Sequence, residues 1–129
     1  MLGAHAALTR ELDAELRAQY GLPLSSYEVL LFLATSPGGA MRMSELASGV
    51  LLSRSGLTRL VDRLVRAGLV ERRECEDDAR GLLAVVTGEG RELFARARGT
   101  HLAGVRRLFL DRYSVEEQKT LGRLFERLS

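Results

Sequence analysis

The chain has 129 residues, of which 46% are hydrophobic and 28% are charged, and its formal net charge is +2. This length is typical of one domain with one core, and the composition is that of an ordinary folded protein rather than a disordered chain. No apolar run approaches the roughly 20 residues of a membrane span, and the N-terminus lacks a basic leader, so we expect a cytoplasmic protein.

The first segment is predicted to be an amphipathic helix. Leu8, Leu12 and Leu16 recur at every fourth position and place one apolar stripe along residues 7–20. A glycine and a proline at residues 21 and 23 then end the helix.

A buried helix and a short strand are predicted next. Residues 25–28 (SSYE) have the pattern of a helix cap, and the apolar run at residues 29–34 is typical of a helix inside the core. Residues 37–39 (PGG) end this helix, and a short strand is expected at residues 40–43.

Two helices joined by a turn are predicted in the middle of the chain. Ser44 is the expected cap of a short helix over residues 45–50, and Ser53 is the expected cap of the next one. Gly68 is expected in the left-handed conformation that ends helices. The second helix has one apolar face, formed by Leu57, Leu60, Val61 and Leu64.

A hairpin is predicted after these helices. Residues 69–74 and 82–87 have the pattern of strands, and the seven polar residues between them predict a projecting, mobile loop. The single cysteine, Cys75, lies among carboxylates that raise a thiol pKa, so we expect an ordinary surface residue rather than a redox sensor.

Two amphipathic helices are predicted at the C-terminal end. The first spans residues 89–111, where Gly99 and Gly104 either weaken it or allow another helix to approach closely. Ser114 begins a capping box for the second. The apolar stripes at the chain ends are explained either by packing within the chain or by a homodimer interface, which we favour. These stripes comprise Leu8, Leu12 and Leu16 and then Val105, Leu108, Phe109, Leu121, Leu124, Phe125 and Leu128.

The helix that Ser53 caps is a candidate for DNA recognition. Residues 53–66 hold four arginines and one acid, a local excess of positive charge suited to phosphates. The side chains predicted to point outward can contact base edges and phosphates in a major groove, although a solvated arginine face is the alternative. They are Arg54, Ser55, Thr58, Arg59, Asp62 and Arg63, and Ser53 at the helix N-terminus offers a further donor to a phosphate.

The hairpin tip strengthens the case for DNA. Arg80 lies near the tip and is suited to a narrow minor groove, and Asp78 is placed to orient its guanidinium group. The alternative is a surface ion pair that contributes little.

Residues 27–90 resemble the MarR (multiple antibiotic resistance regulator) family of winged helix-turn-helix proteins. The matching segments are MSELA at residues 43–47, SGLTRLVDRL at residues 55–64, GLVER at residues 68–72, DAR at residues 78–80 and residues 83–90. The resemblance implies a mainly α fold with a small β-wing, in which N- and C-terminal dimerisation helices flank the DNA-binding core. Residues 1–129 would then form a single domain. Its dimerisation helices would span residues 1–22 and 88–129, and its DNA-binding region would span residues 25–87.

The resemblance also implies a function. It implies a homodimer that binds a pseudo-palindromic DNA operator, usually as a repressor. It also implies that a small-molecule effector, such as an aromatic acid or phenol, releases the dimer from the operator. The implied DNA-binding residues are Ser53, Arg54, Ser55, Thr58, Arg59 and Arg63 on the recognition helix, with Asp78 and Arg80 on the wing. The chain departs from the family in a first helix that looks short. Members of the family that sense oxidants usually carry a cysteine near the N-terminus. Because Cys75 lies in the wing instead, the resemblance does not support a peroxide-sensing role.

Other functions find less support in the sequence. There is no glycine-rich phosphate loop and no metal-ligand spacing, so we expect no catalytic residue, cofactor or metal. A winged-helix protein-interaction module without specific DNA binding is the alternative. Tyr20 and Tyr27, with His5 or Arg17, either line an effector pocket or pack the fold.

Overall fold

The computed structural model describes residues 2–50, 52–75 and 78–127, with the backbone alone at residues 2, 4, 5, 75 and 78–80. These residues form six α-helices and three strands, which confirms a mainly α fold with a small β-wing. In chain order the elements are α1 (Leu2–Tyr20), α2 (Leu24–Ala34), β1 (Ala40–Arg42), α3 (Met43–Val50), α4 (Arg54–Arg66), β2 (Val70–Cys75), β3 (Asp78–Val86), α5 (Gly88–Leu108) and α6 (Val115–Glu126). In the described part of the chain, no helix is both long and apolar enough to cross a membrane.

The sheet and helices α2, α3 and α4 enclose a common core. The strands are antiparallel in the order β1-β3-β2, with Ala40 opposite Val85 and Val70 opposite Val86. The apolar face predicted for α4 is buried as expected. The core includes Val29, Leu30, Leu33, Leu46, Leu57, Leu60, Val61, Leu64, Val70, Ala84 and Val86.

The wing differs from its prediction, because the expected seven-residue loop is largely strand. β3 begins at Asp78, and the pairing changes from Glu74 opposite Leu82 to Cys75 opposite Asp78. Only Glu76 and Asp77, which lie outside the described residues, separate the two strands. The polar residues and Gly81 have the composition of a loop, but backbone pairing between strands does not require apolar side chains.

Two predicted helix caps are wrong. α2 begins at Leu24, before the serines at residues 25 and 26, and no side chain of the preceding residue caps it. A residue of α1 caps α2 instead, since the Leu24 N–H donates a hydrogen bond to Asp13 Oδ1 at 2.8 Å. This hydrogen bond lowers the pKa of Asp13. α3 begins at Met43, directly after β1, so Ser44 lies inside the first turn.

The first and fifth helices pack against each other within the chain. α1 begins at Leu2, earlier than predicted, and buries Leu12 and Leu16. At Gly104 of α5 an added Cβ atom would lie 3.1 Å from Leu12 Cδ2, whereas at Gly99 no atom lies within 4 Å. Gly104 therefore permits close helix approach, and part of the apolar surface assigned to a dimer is covered inside the protomer.

The C-terminal helices agree in part with their predictions. α5 ends at Leu108, three residues before its predicted end, and a 3-10 turn at Leu110–Arg112 follows. The capping box at Ser114 is confirmed, since its hydroxyl accepts from the Glu117 N–H at 3.1 Å.

Replacing Gly90 by alanine should destabilise the fold. Gly90 lies in the first turn of α5, and an added Cβ atom would overlap the backbone carbonyl oxygen of Leu69. Because backbone cannot rotate away, we expect a loss of about 1–3 kcal/mol in the free energy of unfolding, measured in urea. The control Gly99→Ala should gain about 0.5–1 kcal/mol, since its site is open and alanine favours helix. A Gly90→Ala variant as stable as the parent would contradict the packing described here.

Candidate nucleic-acid interface

The start of α4 is fixed by its own sequence. Ser53 Oγ accepts a hydrogen bond from the Gly56 N–H at 3.1 Å, so the predicted cap is confirmed. This bond satisfies one of the free amide groups of the first turn and sets where the exposed face of the helix begins.

The recognition-helix candidates share one exposed face. All six side chains are exposed, opposite the buried apolar face: Ser53, Arg54, Ser55, Thr58, Arg59 and Arg63. The Thr58 hydroxyl donates to the Arg54 carbonyl oxygen at 2.8 Å, and Ser53 Oγ lies 3.3 Å from Ser55 Oγ. Arg59 and Arg63 form no ion pair with any described residue, so their guanidinium groups are available to a ligand.

Arg72 of β2, which was not among the residues predicted from the sequence, links the wing to α4. Its Nη1 lies 2.5 Å from Asp62 Oδ1, and its Nη2 donates to the Thr58 carbonyl oxygen at 3.2 Å. Arg72 follows the buried Val70 by two residues, so both lie on the same side of the strand. This alternation along the strand is the feature of the sequence that could have predicted that Arg72 faces α4. Asp62, predicted to face outward, is held by this contact.

A groove of about 550 Å³ lies between α3, α4 and the wing. Three arginines line it, Arg42, Arg54 and Arg72, against one acid, Asp62. Arg42 comes from the end of β1 and was not predicted as a site residue. The groove therefore adds positive charge beside the exposed face of α4 and suits an anionic ligand such as a phosphate backbone.

The wing residues are placed only in part. Asp78 and Arg80 belong to β3, but their side chains lie outside the described atoms, as does that of Cys75. A wing contact by Asp78 and Arg80 therefore stays a prediction.

The tyrosines considered for an effector pocket pack the fold. Tyr27 is 3% exposed and lies 5.4 Å from Phe94 and 4.6 Å from His101, measured between ring centroids. Tyr20 Oη lies 2.9 Å from Thr100 Oγ1. Arg17 pairs with Asp13, and the side chain of His5 lies outside the described atoms.

Comparison with known proteins identifies the family. The model of the MarR family matches residues 20–81, which extend from the last residue of α1 into β3. The HTH-type transcriptional repressor Rv2887 of Mycobacterium tuberculosis is 31% identical over 123 residues, which are 95% of this chain and 86% of the relative. The chain belongs to the MarR family of transcriptional regulators.

Solved structures of the MarR family match nearly the whole chain. AbsC of Streptomyces coelicolor is 37% identical with a TM-score of 0.91, over 98% of this chain and 85% of AbsC. Sco3205 of the same organism, solved in complex with DNA, is 37% identical with a TM-score of 0.92, over 98% of this chain and 79% of Sco3205. The winged helix-turn-helix interpretation is confirmed.

The contact between Arg72 and Asp62 should contribute measurably to stability. Its side chains are 27% and 40% exposed, so we expect a coupling of about 0.5–1 kcal/mol in a double-mutant cycle of Arg72→Ala and Asp62→Ala, measured by urea unfolding. The control pair Arg73 and Glu71 is 63% and 56% exposed and should couple by only a few tenths of a kcal/mol. Equal coupling in the two pairs would show that the contact between Arg72 and Asp62 is no stronger than an exposed surface ion pair.

Proposed function

We propose that this MarR-family regulator binds a pseudo-palindromic DNA operator as a homodimer and represses transcription. Residues 25–87 bind DNA, and residues 1–22 and 88–129 form the dimer. The observation that carries the proposal is the exposed, arginine-bearing face of α4 beside a groove lined by Arg42, Arg54 and Arg72.

The recognition helix would enter the major groove. The fork of an arginine guanidinium matches the two acceptors of guanine, and Arg59 and Arg63 are exposed on the same face of α4. The N-terminal turn of α4 and Ser55 would contact phosphate, since the amide groups there attract anions. Arg72 would position α4 relative to the wing rather than contact a base itself.

The wing would contact the adjacent minor groove. The proposal is supported by the position of Asp78 and Arg80 at the start of β3, away from the strand pairs around Val85 and Val86. An arginine inserted into a narrow minor groove gains from the concentrated negative potential there.

A second copy of the chain would cover the apolar surface of the C-terminal helices. Several large apolar side chains remain exposed in the single chain, and burial in a symmetric interface would remove them from water. They are Leu102, Tyr113, Val115, Leu124 and Phe125, and the predicted member Leu128 lies outside the described residues. Two recognition helices held in this way would occupy successive major grooves about one DNA turn apart.

Release of the operator would follow from binding of a small molecule that favours another spacing of the recognition helices. The family resemblance implies an aromatic acid or phenol for this role. Repression is supported by the relative Rv2887, which is named a transcriptional repressor. A regulator of this kind acts in the cytoplasm, where its operator is.

Removing Arg59 or Arg63 should weaken specific DNA binding. With a duplex selected by the wild-type protein from a random pool, we expect each alanine variant to bind at least tenfold more weakly, about 1–3 kcal/mol for a lost bidentate base contact. Affinity is measured by fluorescence anisotropy over a salt series. The control Arg96→Ala removes an exposed arginine of α5 and should leave affinity unchanged.

Two results of that experiment would contradict the proposal. If both variants bound like the wild type, α4 would not be the recognition helix. If the pool yielded no motif and binding stayed weak at all salt concentrations, the winged-helix protein-interaction module would be the better interpretation.

Replacing Phe125 by glutamate should dissociate the dimer. Phe125 is 58% exposed in the single chain, so the fold should tolerate the charge while a buried interface would not. We expect a dimer for the wild type and a monomer for Phe125→Glu in sedimentation equilibrium. The control Leu82→Glu alters an apolar side chain of the wing that is 44% exposed and should remain dimeric. Equal masses for the two variants would argue against an interface at α6.

A further inference from the structure

Thr58 of α4 carries two groups of different chemistry, a hydroxyl and a methyl, and the structure commits one of them. Its Oγ1 donates a hydrogen bond to the Arg54 carbonyl oxygen, one helical turn earlier, at 2.8 Å. A threonine hydroxyl has a single hydrogen, so this bond uses its donor capacity inside the helix. The methyl group and the acceptor capacity of the oxygen are what this exposed side chain still offers to a partner.

A second hydrogen bond fixes the position of Thr58 from the wing. Arg72 Nη2 donates to the Thr58 carbonyl oxygen at 3.2 Å, and Arg72 is itself held by Asp62. Thr58 is thus held through its side chain by α4 and through its backbone by β2. A side chain that is already ordered loses little conformational entropy on binding, so a small apolar contact is enough to contribute to recognition.

The neighbours of Thr58 on the exposed face of α4 are polar. Arg54 and Ser55 precede it by about one turn, and Arg59 follows it directly. These side chains supply the hydrogen bonds to phosphates and base edges that the proposed function requires. Of the six exposed residues on this face, only Thr58 carries a methyl group, so it is the one suited to contact with an apolar group of a base.

We propose that Thr58 recognises a thymine in the major groove, through contact between its methyl group and the 5-methyl group of the base. Thymine is the only standard base that presents a methyl group in the major groove. Contact between two methyl groups removes apolar surface from water and makes no demand on the committed hydroxyl. This inference rests on the proposed function, and it adds the identity of one base and of the group that reads it.

Recognition of a base by the Thr58 hydroxyl is the alternative. To donate to a base, the hydroxyl would have to leave the Arg54 carbonyl oxygen, and this exchange of one hydrogen bond for another gains little. As an acceptor, the oxygen would favour the amino group of adenine or cytosine, because thymine presents no donor in the major groove. The two modes of recognition therefore predict different bases and different responses to loss of the hydroxyl.

The thymine contact is tested with a DNA duplex that the wild-type protein selects from a random pool. Each thymine of the half-sites is replaced in turn by deoxyuridine, which lacks only the 5-methyl group, and affinity is measured by fluorescence anisotropy. We expect one thymine position at which the wild type binds about fourfold more weakly for each half-site changed, the effect of about one methyl group returned to water.

Two variants of Thr58 separate its methyl group from its hydroxyl. Thr58→Ser keeps the hydroxyl and lacks the methyl, so it should bind the thymine and uracil duplexes equally. Thr58→Val keeps a methyl and lacks the hydroxyl, so it should show the wild-type loss at the same position. Thr35→Ser is the matched control, since Thr35 Oγ1 donates to the Leu31 carbonyl oxygen at 2.7 Å in the same way, at the end of α2. It should retain the wild-type loss.

The ratio of the two affinities decides between the outcomes. A variant that folds poorly binds both duplexes more weakly by the same factor, so the ratio is unaffected. A loss that persists in Thr58→Ser would arise from DNA shape rather than from the methyl contact, and it would overturn the inference. A loss that disappears in Thr58→Val, or the absence of any sensitive thymine, would overturn it as well.

Failure of the proposed function gives a different result. If the wild type selects no duplex, specific DNA binding is refuted and the thymine contact is refuted with it. If a duplex is selected and bound but none of its thymines is sensitive through Thr58, the proposed function stands and only the role of Thr58 is refuted.

Discussion

Burial of one face of α4 is the constraint on which the rest of the structure depends. Leu57, Leu60 and Val61 are buried in the common core, so rotation of the helix about its axis would expose them to water. The opposite face is therefore presented to solvent in one orientation. The cap at Ser53 fixes where that face begins along the chain, and a rigid exposed surface of this kind is what binding to a DNA groove requires.

The wing is attached to α4 as well as to the sheet. Pairing of β2 with β3 continues the hairpin outward from the core, and Arg72 connects its base to Asp62 and to the backbone of α4. Because Arg72 satisfies Asp62, the acid does not oppose the neighbouring arginines of the groove. The separation between helix and wing is thus set by a directed contact as well as by packing.

The turn between α3 and α4 lies between two surfaces of different chemistry. On one side is the arginine-lined groove beside the wing, and on the other is an apolar groove that holds Glu28. Val50 and Leu52 form a wall of the second groove, and Leu52 directly precedes Ser53, the cap of α4.

The sequence by itself determined the features that depend on neighbouring residues. The buried stripe of α4, its cap at Ser53, the left-handed Gly68 and the capping box at Ser114 follow from spacing and local chemistry, and all are present in the structure. Only the tertiary structure decided the start of α2, which depends on Asp13 of another helix, and the contact between Arg72 and Asp62. It also decided that Gly104, and not Gly99, lies where α1 approaches α5. These features join residues distant in sequence, and the free energy that selects them arises only when the core brings the elements together.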